Sequence, residues 1–328
     1  MTTITVQGKH ALITGAGSGI NLCFARMLLE KGCSVLIADL KLQPEAEELL
    51  KKYPFPTADG QAGAFFQKTN VASWPELSSV WKTAVDKFSS VDIVVAGAGL
   101  FEPKWASFWE APKTESNPDT VSVDPADADP GHYAVLDVNL ASPIRLSQLA
   151  IGHWTKTRQK GTLVHVGSMA GYGAGITTPL YFASKHGLHG FVQSLGGLRD
   201  ELGIRVGCVA PGAVRTPLWH DDPTKAVMLD KDTVLIEPEE IAQGMWQLVV
   251  NEELGDGTIL EVTMGATRVV PSIQRTSAYR RGHSGAGLCG VHGDTVREAE
   301  ERGLECLRWS RRVQIASTQS VLLETKDR

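Results

Sequence analysis

The chain lacks most features of an exported, membrane-spanning or nucleic-acid-binding protein. It has five cysteines in 328 residues: Cys23, Cys33, Cys208, Cys289 and Cys306. An odd, scattered set fits a reducing compartment better than a disulfide framework, so a cytoplasmic protein is expected. No apolar run approaches the roughly 20 residues that span a bilayer. The N-terminus shows no basic segment leading into an apolar stretch, and no secretory signal is read there. Positive charge is not in excess either. The net charge of −5 gives no reason to expect nucleic acid or an anionic membrane as a partner. What is present is ordinary for a soluble globular chain, with 42% hydrophobic and 21% charged residues. The length suits one large α/β domain or two small ones.

The first strong pattern lies near the start. His10-Ala11-Leu12-Ile13-Thr14 reads as a buried strand, and Gly15-Ala16-Gly17-Ser18-Gly19 follows at once. A helical pattern through Ile20, Cys23, Phe24, Met27 and Leu28 then stops at Gly32. Ser34-Val35-Leu36-Ile37-Ala38 is a second strand, ending in Asp39. Strand, glycine turn, helix, strand and acid form a dinucleotide-binding unit. Glycines let backbone approach a pyrophosphate at the helix N-terminus. An acid about 20 residues on accepts a hydrogen bond from the ribose 2′-hydroxyl. A glycine turn alone would equally close an ordinary loop.

A second pattern centres on Tyr181-Phe182-Ala183-Ser184-Lys185, which follows a strand-like Thr162–Val166 and Gly167-Ser168. Helical spacing places Tyr181 and Lys185 on one face. A free tyrosine, with a pKa of about 10, is nearly idle as a base at neutral pH. A nearby ammonium favours its phenolate. The Ser168 hydroxyl, at a strand end, could hold a substrate oxygen beside it. Such a trio can move a proton on or off an alcohol. The bland alternative is an amphipathic helix with a half-buried tyrosine and a snorkelling lysine.

Together these motifs resemble the short-chain dehydrogenases/reductases. Thr14–Ile20 is similar to the family's Thr-Gly-x-x-x-Gly-x-Gly turn, and Ser168, Tyr181 and Lys185 match its catalytic motif. The resemblance covers roughly residues 5 to 270. Within the family, Pro179–Gly187 resembles the NAD-dependent hydroxyprostaglandin dehydrogenase-like branch, and also fungal enzymes that oxidise secondary alcohols in natural-product pathways. The resemblance implies one doubly wound Rossmann-type α/β domain with a parallel sheet of about seven strands. It further implies that Asn139 bends its helix and holds a relay water. Lys185 would bind the nicotinamide ribose as well as tune Tyr181. Val214 and Thr216, in Pro211–Thr216, would meet the carboxamide. Homodimers or homotetramers through the Asn139 and Tyr181 helices follow by analogy only.

The chain departs from the family at several positions. The last glycine of the turn is Asn21. Asn70, before Val71, stands where an aspartate usually contacts adenine; a turn asparagine explains it as well. After a fourth strand, Val91–Val95, Ala96-Gly97-Ala98-Gly99 replaces Asn-Asn-Ala-Gly, leaving the sheet without two supporting side chains. Gly97 would still pass close to the nicotinamide ribose.

The remaining elements are read from periodicity. Gly63–Thr69, Ile204–Val209 and Thr258–Thr263 read as strands, the last of them closing the sheet. Helices are expected over Pro75–Phe88, from His132 towards Trp154 with an interruption at Pro143, and over Pro238–Asn251. Residues 100–131 form a long loop with five prolines. Its aromatic half, with Phe101, Trp105, Phe108 and Trp109, could overhang a substrate pocket, and Glu115–Asp129 reads as a solvated acidic loop. Leu218–Ile236, with Trp219, His220, Met228 and Leu229, reads as a substrate lid; a lone loop histidine is more often plain surface. Residues 271–328 carry 10 Lys/Arg against 7 Asp/Glu, a balance of +3 against −8 for 1–270, and read as a mobile extension. Cys289, His292, His283 and Cys306 fit no paired zinc spacing, so no metal is expected.

The expected activity is NAD-dependent interconversion of a secondary alcohol and a ketone on a bulky, mostly apolar small molecule, with NADP less favoured. An epimerase using the same Tyr/Lys chemistry and a non-catalytic dinucleotide-binding protein are the alternatives.

Overall fold

Strand Leu12 faces one layer of helices while its neighbours Ala11 and Ile13 face the other, and this alternation runs through the whole sheet. The computed structural model describes residues 4–57, 60–127, 131–217 and 234–271. Eight strands form one sheet in the order β3-β2-β1-β4-β5-β6-β7-β8. They are β1 (His10–Thr14), β2 (Ser34–Asp39), β3 (Ala64–Lys68), β4 (Ile93–Ala96), β5 (Thr162–Val166), β6 (Arg205–Pro211), β7 (Asp256–Thr263) and β8 (Ala266–Val269). The pairs from β3 through to β7 are all parallel. Parallel strands covered on both faces read as continuous apolar runs, and this is why β1, β2 and β6 were legible.

Helices α1 (Gly19–Glu30) and α7 (Pro238–Val250) cover one face, packing Phe24, Leu28, Ile241 and Met245 onto Ile13, Ile37 and Val95. Helices α3 (Trp74–Lys87), α4 (Ser142–Thr157) and α5 (Pro179–Ser194) cover the other, with Trp81, Leu146, Trp154, Leu188 and Val192 against Leu12, Leu36 and Val94. Shorter helices include α2 (Pro44–Lys52) and α6 (Leu198–Leu202). The fold is therefore the doubly wound α/β domain that the motifs imply.

Three details differ from the sequence reading. The sheet does not close at Thr263. Gly265, at φ +68, turns the chain into β8, which pairs antiparallel to β7. All four β8 residues are exposed, so no apolar pattern marked them. Helix α2 was not anticipated because it buries only Ala46 and Leu49. The break in the helix before Trp154 lies ahead of Pro143, in a π turn at Asp137–Ala141 that follows the short helical turn Ala134–Leu136. Pro143 has no N–H to offer the Asn139 carbonyl four residues back, and a wider turn there relieves the α-helical register.

The expected lid falls largely outside the described residues, since 218–233 are not among them. The tail from 272, with its cysteine and histidine positions, lies outside them as well.

Candidate active site

The ends of β1, β2, β4 and β6 meet at the glycine turn. Each of its glycines faces a different neighbour. A Cβ on Gly15, at φ +74, would lie 2.7 Å from the Ala98 backbone after β4. On Gly17 it would lie 2.1 Å from the Lys41 carbonyl and 2.9 Å from the Asp39 carboxylate. On Gly19, at φ +58, it would rest 3.4 Å from Thr216 after β6. Gly15 and Gly17 thus have no room for a Cβ, and Gly19 is favoured by its positive φ. Ser18 precedes α1 as its N-cap without using its side chain as a cap, and Ile20 lies partly buried in the first turn. An uncapped helix start lined by glycines is suited to an anion such as a pyrophosphate.

Asp39 is held in place from both sides. The Gly17 N–H donates to Oδ2 at 2.8 Å and the Leu40 N–H donates to Oδ1 at 2.7 Å. Asn70 is exposed at the end of β3, and its Oδ1 accepts the Ala72 N–H at 3.1 Å, the arrangement of a turn asparagine. Val71 beside it is buried. Val214 bridges to Ile236, and the Thr216 hydroxyl turns back to the Val214 carbonyl at 3.4 Å.

Asn21 answers the question of what supports the sheet at positions 96 and 97. Its Nδ2 donates to the Gly97 carbonyl at 2.9 Å and to the Gly15 carbonyl at 3.3 Å. Thr14 adds to this, its hydroxyl oxygen accepting the Gly97 N–H at 3.1 Å. The asparagine tie between the glycine turn and the β4 end comes from helix α1 rather than from the loop.

The proposed proton-transfer residues lie at the ends of β4 and β5. Ser168 ends β5 in extended backbone, and its oxygen accepts the Ala170 N–H at 3.1 Å. Helix α5 begins at Pro179 and places the Tyr181 side chain close to Ser168. Burial pushes the Tyr181 pKa up and the nearby Ser168 hydroxyl pulls it back, with burial the larger influence. Lys185 is buried one turn on. Its Nζ donates to the Val166 carbonyl at 2.9 Å and lies 5.6 Å from the centre of the Tyr181 ring. Burial lowers its pKa to about 8, so its ammonium is far easier to discharge than that of a surface lysine. Asn139, in the π turn, grips the Leu100 backbone in two directions. Its Oδ1 accepts the Leu100 N–H at 2.7 Å and its Nδ2 donates to the Leu100 carbonyl at 2.8 Å. The same Nδ2 reaches the Ser184 hydroxyl at 3.2 Å. With its side chain so engaged, only the Asn139 backbone is free to act toward a relay. Gly99 passes between these groups; a Cβ there would stand 3.4 Å from Asn139 Oδ1 and 3.8 Å from Lys185 Nζ.

The matches to known proteins agree with this arrangement. A family model described as short chain dehydrogenase matches residues 9–226, more than half of the chain. The chain belongs to the short-chain dehydrogenase family. It is 30% identical over 274 residues to the 15-hydroxyprostaglandin dehydrogenase [NAD(+)] of Homo sapiens, covering 79% of this chain and 92% of that protein. It is 31% identical over 217 residues to the short-chain dehydrogenase/reductase prx4 of Penicillium rubens, covering 66% of this chain and 58% of that one. Momilactone A synthase of Oryza sativa is 28% identical over 227 residues, 67% of this chain and 74% of that enzyme.

In this short-chain dehydrogenase the aromatic loop, expected to overhang a pocket, makes specific contacts beside Tyr181. Phe101 meets the Tyr181 ring edge-on at 4.7 Å between centroids. The Trp109 indole N–H donates to the Ile176 carbonyl at 2.8 Å, tying the aromatic loop to the segment before α5. Asp124 is buried although Glu115–Asp129 reads as solvated; it accepts the Ala134 N–H at 2.9 Å, which explains its burial. Glu102, in the aromatic half, is buried as well. The loop's proline and acid content hid these contacts. Among the described residues no helix is long and apolar enough to cross a membrane, and no group of three or more metal-ligating side chains occurs.

Proposed function

We propose that this protein interconverts a secondary alcohol and a ketone on a bulky, mostly apolar small molecule, using NAD. The observation that carries the reading is the convergence of Ser168, Tyr181 and Lys185 beside a glycine turn in which Gly15 and Gly17 have no room for a Cβ. The residues fit a dinucleotide: the glycines and the α1 N-terminus would hold the pyrophosphate, Asp39 the adenine ribose, Lys185 the nicotinamide ribose, and Val214 with Thr216 the carboxamide. When bound, the nicotinamide ring supplies the acceptor for the hydride that leaves the carbinol carbon.

This chain's own groups handle the proton and the oxygen. Ser168 offers its hydroxyl to the reacting oxygen, and Tyr181 takes the alcohol proton as the carbon–oxygen double bond forms. Lys185, charged below its pKa of about 8, favours the phenolate against the upward push of burial. Phe101, Trp109 and the exposed Ile176 give the entrance an apolar and aromatic rim, which suits a steroid, terpenoid, polyketide or fatty-acid derivative. The names of the relatives point the same way, toward a prostaglandin and toward natural products.

The test is the nicotinamide absorbance of the protein with NAD and three probes: a long-chain secondary alkanol, an aryl secondary alcohol and a hydroxysteroid. Turnover that Tyr181→Phe reduces by roughly a hundredfold or more, with NAD affinity nearly unchanged, supports the reading. Tyr181→Phe activity above about a tenth of the parent's would remove Tyr181 as the acid/base group.

A further inference from the structure

The loop that follows β4 contains a buried acid with an unusual set of partners. Glu102 takes φ +29, a backbone region that residues other than glycine seldom occupy. This turns its side chain inward, where it is 4% exposed. A buried carboxylate is costly unless hydrogen-bonded. Among the described residues no cation pairs with Glu102. Its partners are instead donors of the chain itself: the Phe108 N–H at 2.9 Å and the Ser107 hydroxyl at 3.4 Å on Oε1, and the Tyr181 N–H at 2.8 Å on Oε2.

The last contact stands where a helix cap should be. Helix α5 starts at Pro179, which has no N–H, and its N-cap Thr178 makes no capping bond. Tyr181 is the third helical residue, whose N–H a capping side chain ordinarily accepts. Glu102 does this from 79 residues away in sequence. Its negative charge also suits the positive end of the helix. Next to it, Phe101 presses the Tyr181 ring. Two consecutive loop residues therefore fix Tyr181, one by its backbone and one by its ring.

We propose that Glu102 is a positioning residue for Tyr181, coupling the aromatic loop at the entrance to the placement of the phenol. The proposal rests on the reading of Tyr181 as the acid/base group. When the loop is seated, both arms of the carboxylate are used and the first turn of α5 is fixed. When the loop lifts, the Tyr181 N–H loses its acceptor and the first turn of α5 loosens.

The experiment compares the parent, Glu102→Ala, Glu102→Gln and Tyr181→Phe, all as the full chain saturated with NAD. Amide hydrogen exchange is read at Tyr181, at Phe108 and along α1. Turnover of whichever of the three alcohols the parent oxidises fastest is expressed per NAD-binding site, so that misfolded protein does not count. In Glu102→Ala, exchange at Tyr181 and Phe108 should accelerate together by roughly tenfold or more while α1 stays protected. Turnover per site should fall by about tenfold or more with NAD affinity within about twofold. Glu102→Gln keeps one carbonyl acceptor and should fall between Ala and the parent. If Glu102→Ala is insoluble, Glu102→Gln carries the test: faster exchange at Tyr181 together with a turnover loss of roughly threefold or more is required. Unchanged exchange at Tyr181, or turnover per site within about twofold of the parent, overturns the proposal. Tyr181→Phe separates the two ideas. If it stays active, the role of Tyr181 falls, and the exchange data alone decide whether Glu102 holds its amide.

Discussion

Asn21 occupies the space that a side chain at position 97 would need. A Cβ added to Gly97 would come within 2.3 Å of Asn21 Oδ1 and 2.5 Å of Nδ2. The Asn21 amide is 6% exposed and tied to the Gly15 and Gly97 carbonyls. It cannot step aside without breaking those bonds. The two departures from the family pattern, asparagine in the turn and glycine after β4, are thus one exchange between facing positions.

This pairing predicts strong coupling. Gly97→Ala should cost about 1–3 kcal/mol, as overpacking of a close-fitted site does. In an Asn21→Gly background the same change should be far milder, with a coupling of roughly 1 kcal/mol or more in a double-mutant cycle. Urea denaturation of the four proteins measures it. Simple additivity would mean that the two residues do not share the space.

Asp39 should set the cofactor preference. Its two oxygens are pinned by the Gly17 and Leu40 N–H groups, so the carboxylate cannot swing away from a 2′-phosphate. Like charges at close range repel by about 1 kcal/mol in water and more when partly desolvated. That corresponds to roughly fivefold to tenfold or more in affinity. The preference for NAD in kcat/KM should weaken in Asp39→Ala. Lys41 is exposed two residues on; a parent that prefers NADP would assign the control to Lys41.

The parts of the site that were legible in the sequence are those set by local periodicity. Tyr181 and Lys185 share a face because four residues make about one helical turn. Asp39 could be placed because the apolar run of β2 ends on it. The parts that were not legible depend on distant partners. Glu102 looks like any loop acid until its bond to Tyr181 closes, across 79 residues and through a backbone angle that no local pattern announces. Asn21 looks like a flaw in the turn until Gly97 is seen to face it. The antiparallel β8 was invisible because both its faces are wet.

Arg205 should be a large contributor to stability. Its guanidinium is buried and donates to the carbonyls of Leu248, Val249, Asn251 and Leu254, at distances from 2.5 to 3.3 Å. Leu248 and Val249 lie in the last turn of α7, whose carbonyls the helix leaves without donors, and Asn251 and Leu254 lie in the turn just beyond it. Arg205→Leu would strand them in a buried place. The expected loss is about 3 kcal/mol or more, or roughly 6–12 °C in Tm for a domain of this size. A lysine cannot serve four acceptors with one nitrogen, so Arg205→Lys should recover only part of the loss. A melt within about 2 °C of the parent would mean that water satisfies these carbonyls instead.

Acid should destabilise the fold before its carboxylates titrate. His165 is fully buried in β5, with Nε2 at 2.9 Å from the Ser147 hydroxyl and Nδ1 at 3.4 Å from the Gly207 carbonyl. The Ser147 hydroxyl also lies 2.7 Å from the Pro143 carbonyl. That hydroxyl can turn its proton to Pro143 or to Nε2, so either tautomer of the neutral ring is paired here. Burial lowers the His165 pKa from 6.5 to about 4, and burial with the nearby Lys185 charge lowers that of His189 to about 4 as well. In the unfolded chain both would titrate near 6.5. Between pH 6.5 and about 4 the unfolded state therefore binds more protons, and stability falls as pH falls. The slope approaches about 1.4 kcal/mol per pH unit for each histidine within that window. Urea midpoints at several pH values across it would show the slope. His165→Gln, whose amide can donate to or accept from Ser147, should be flatter by about one histidine's share. An identical slope in parent and variant would show that His165 already takes up its proton in the native state.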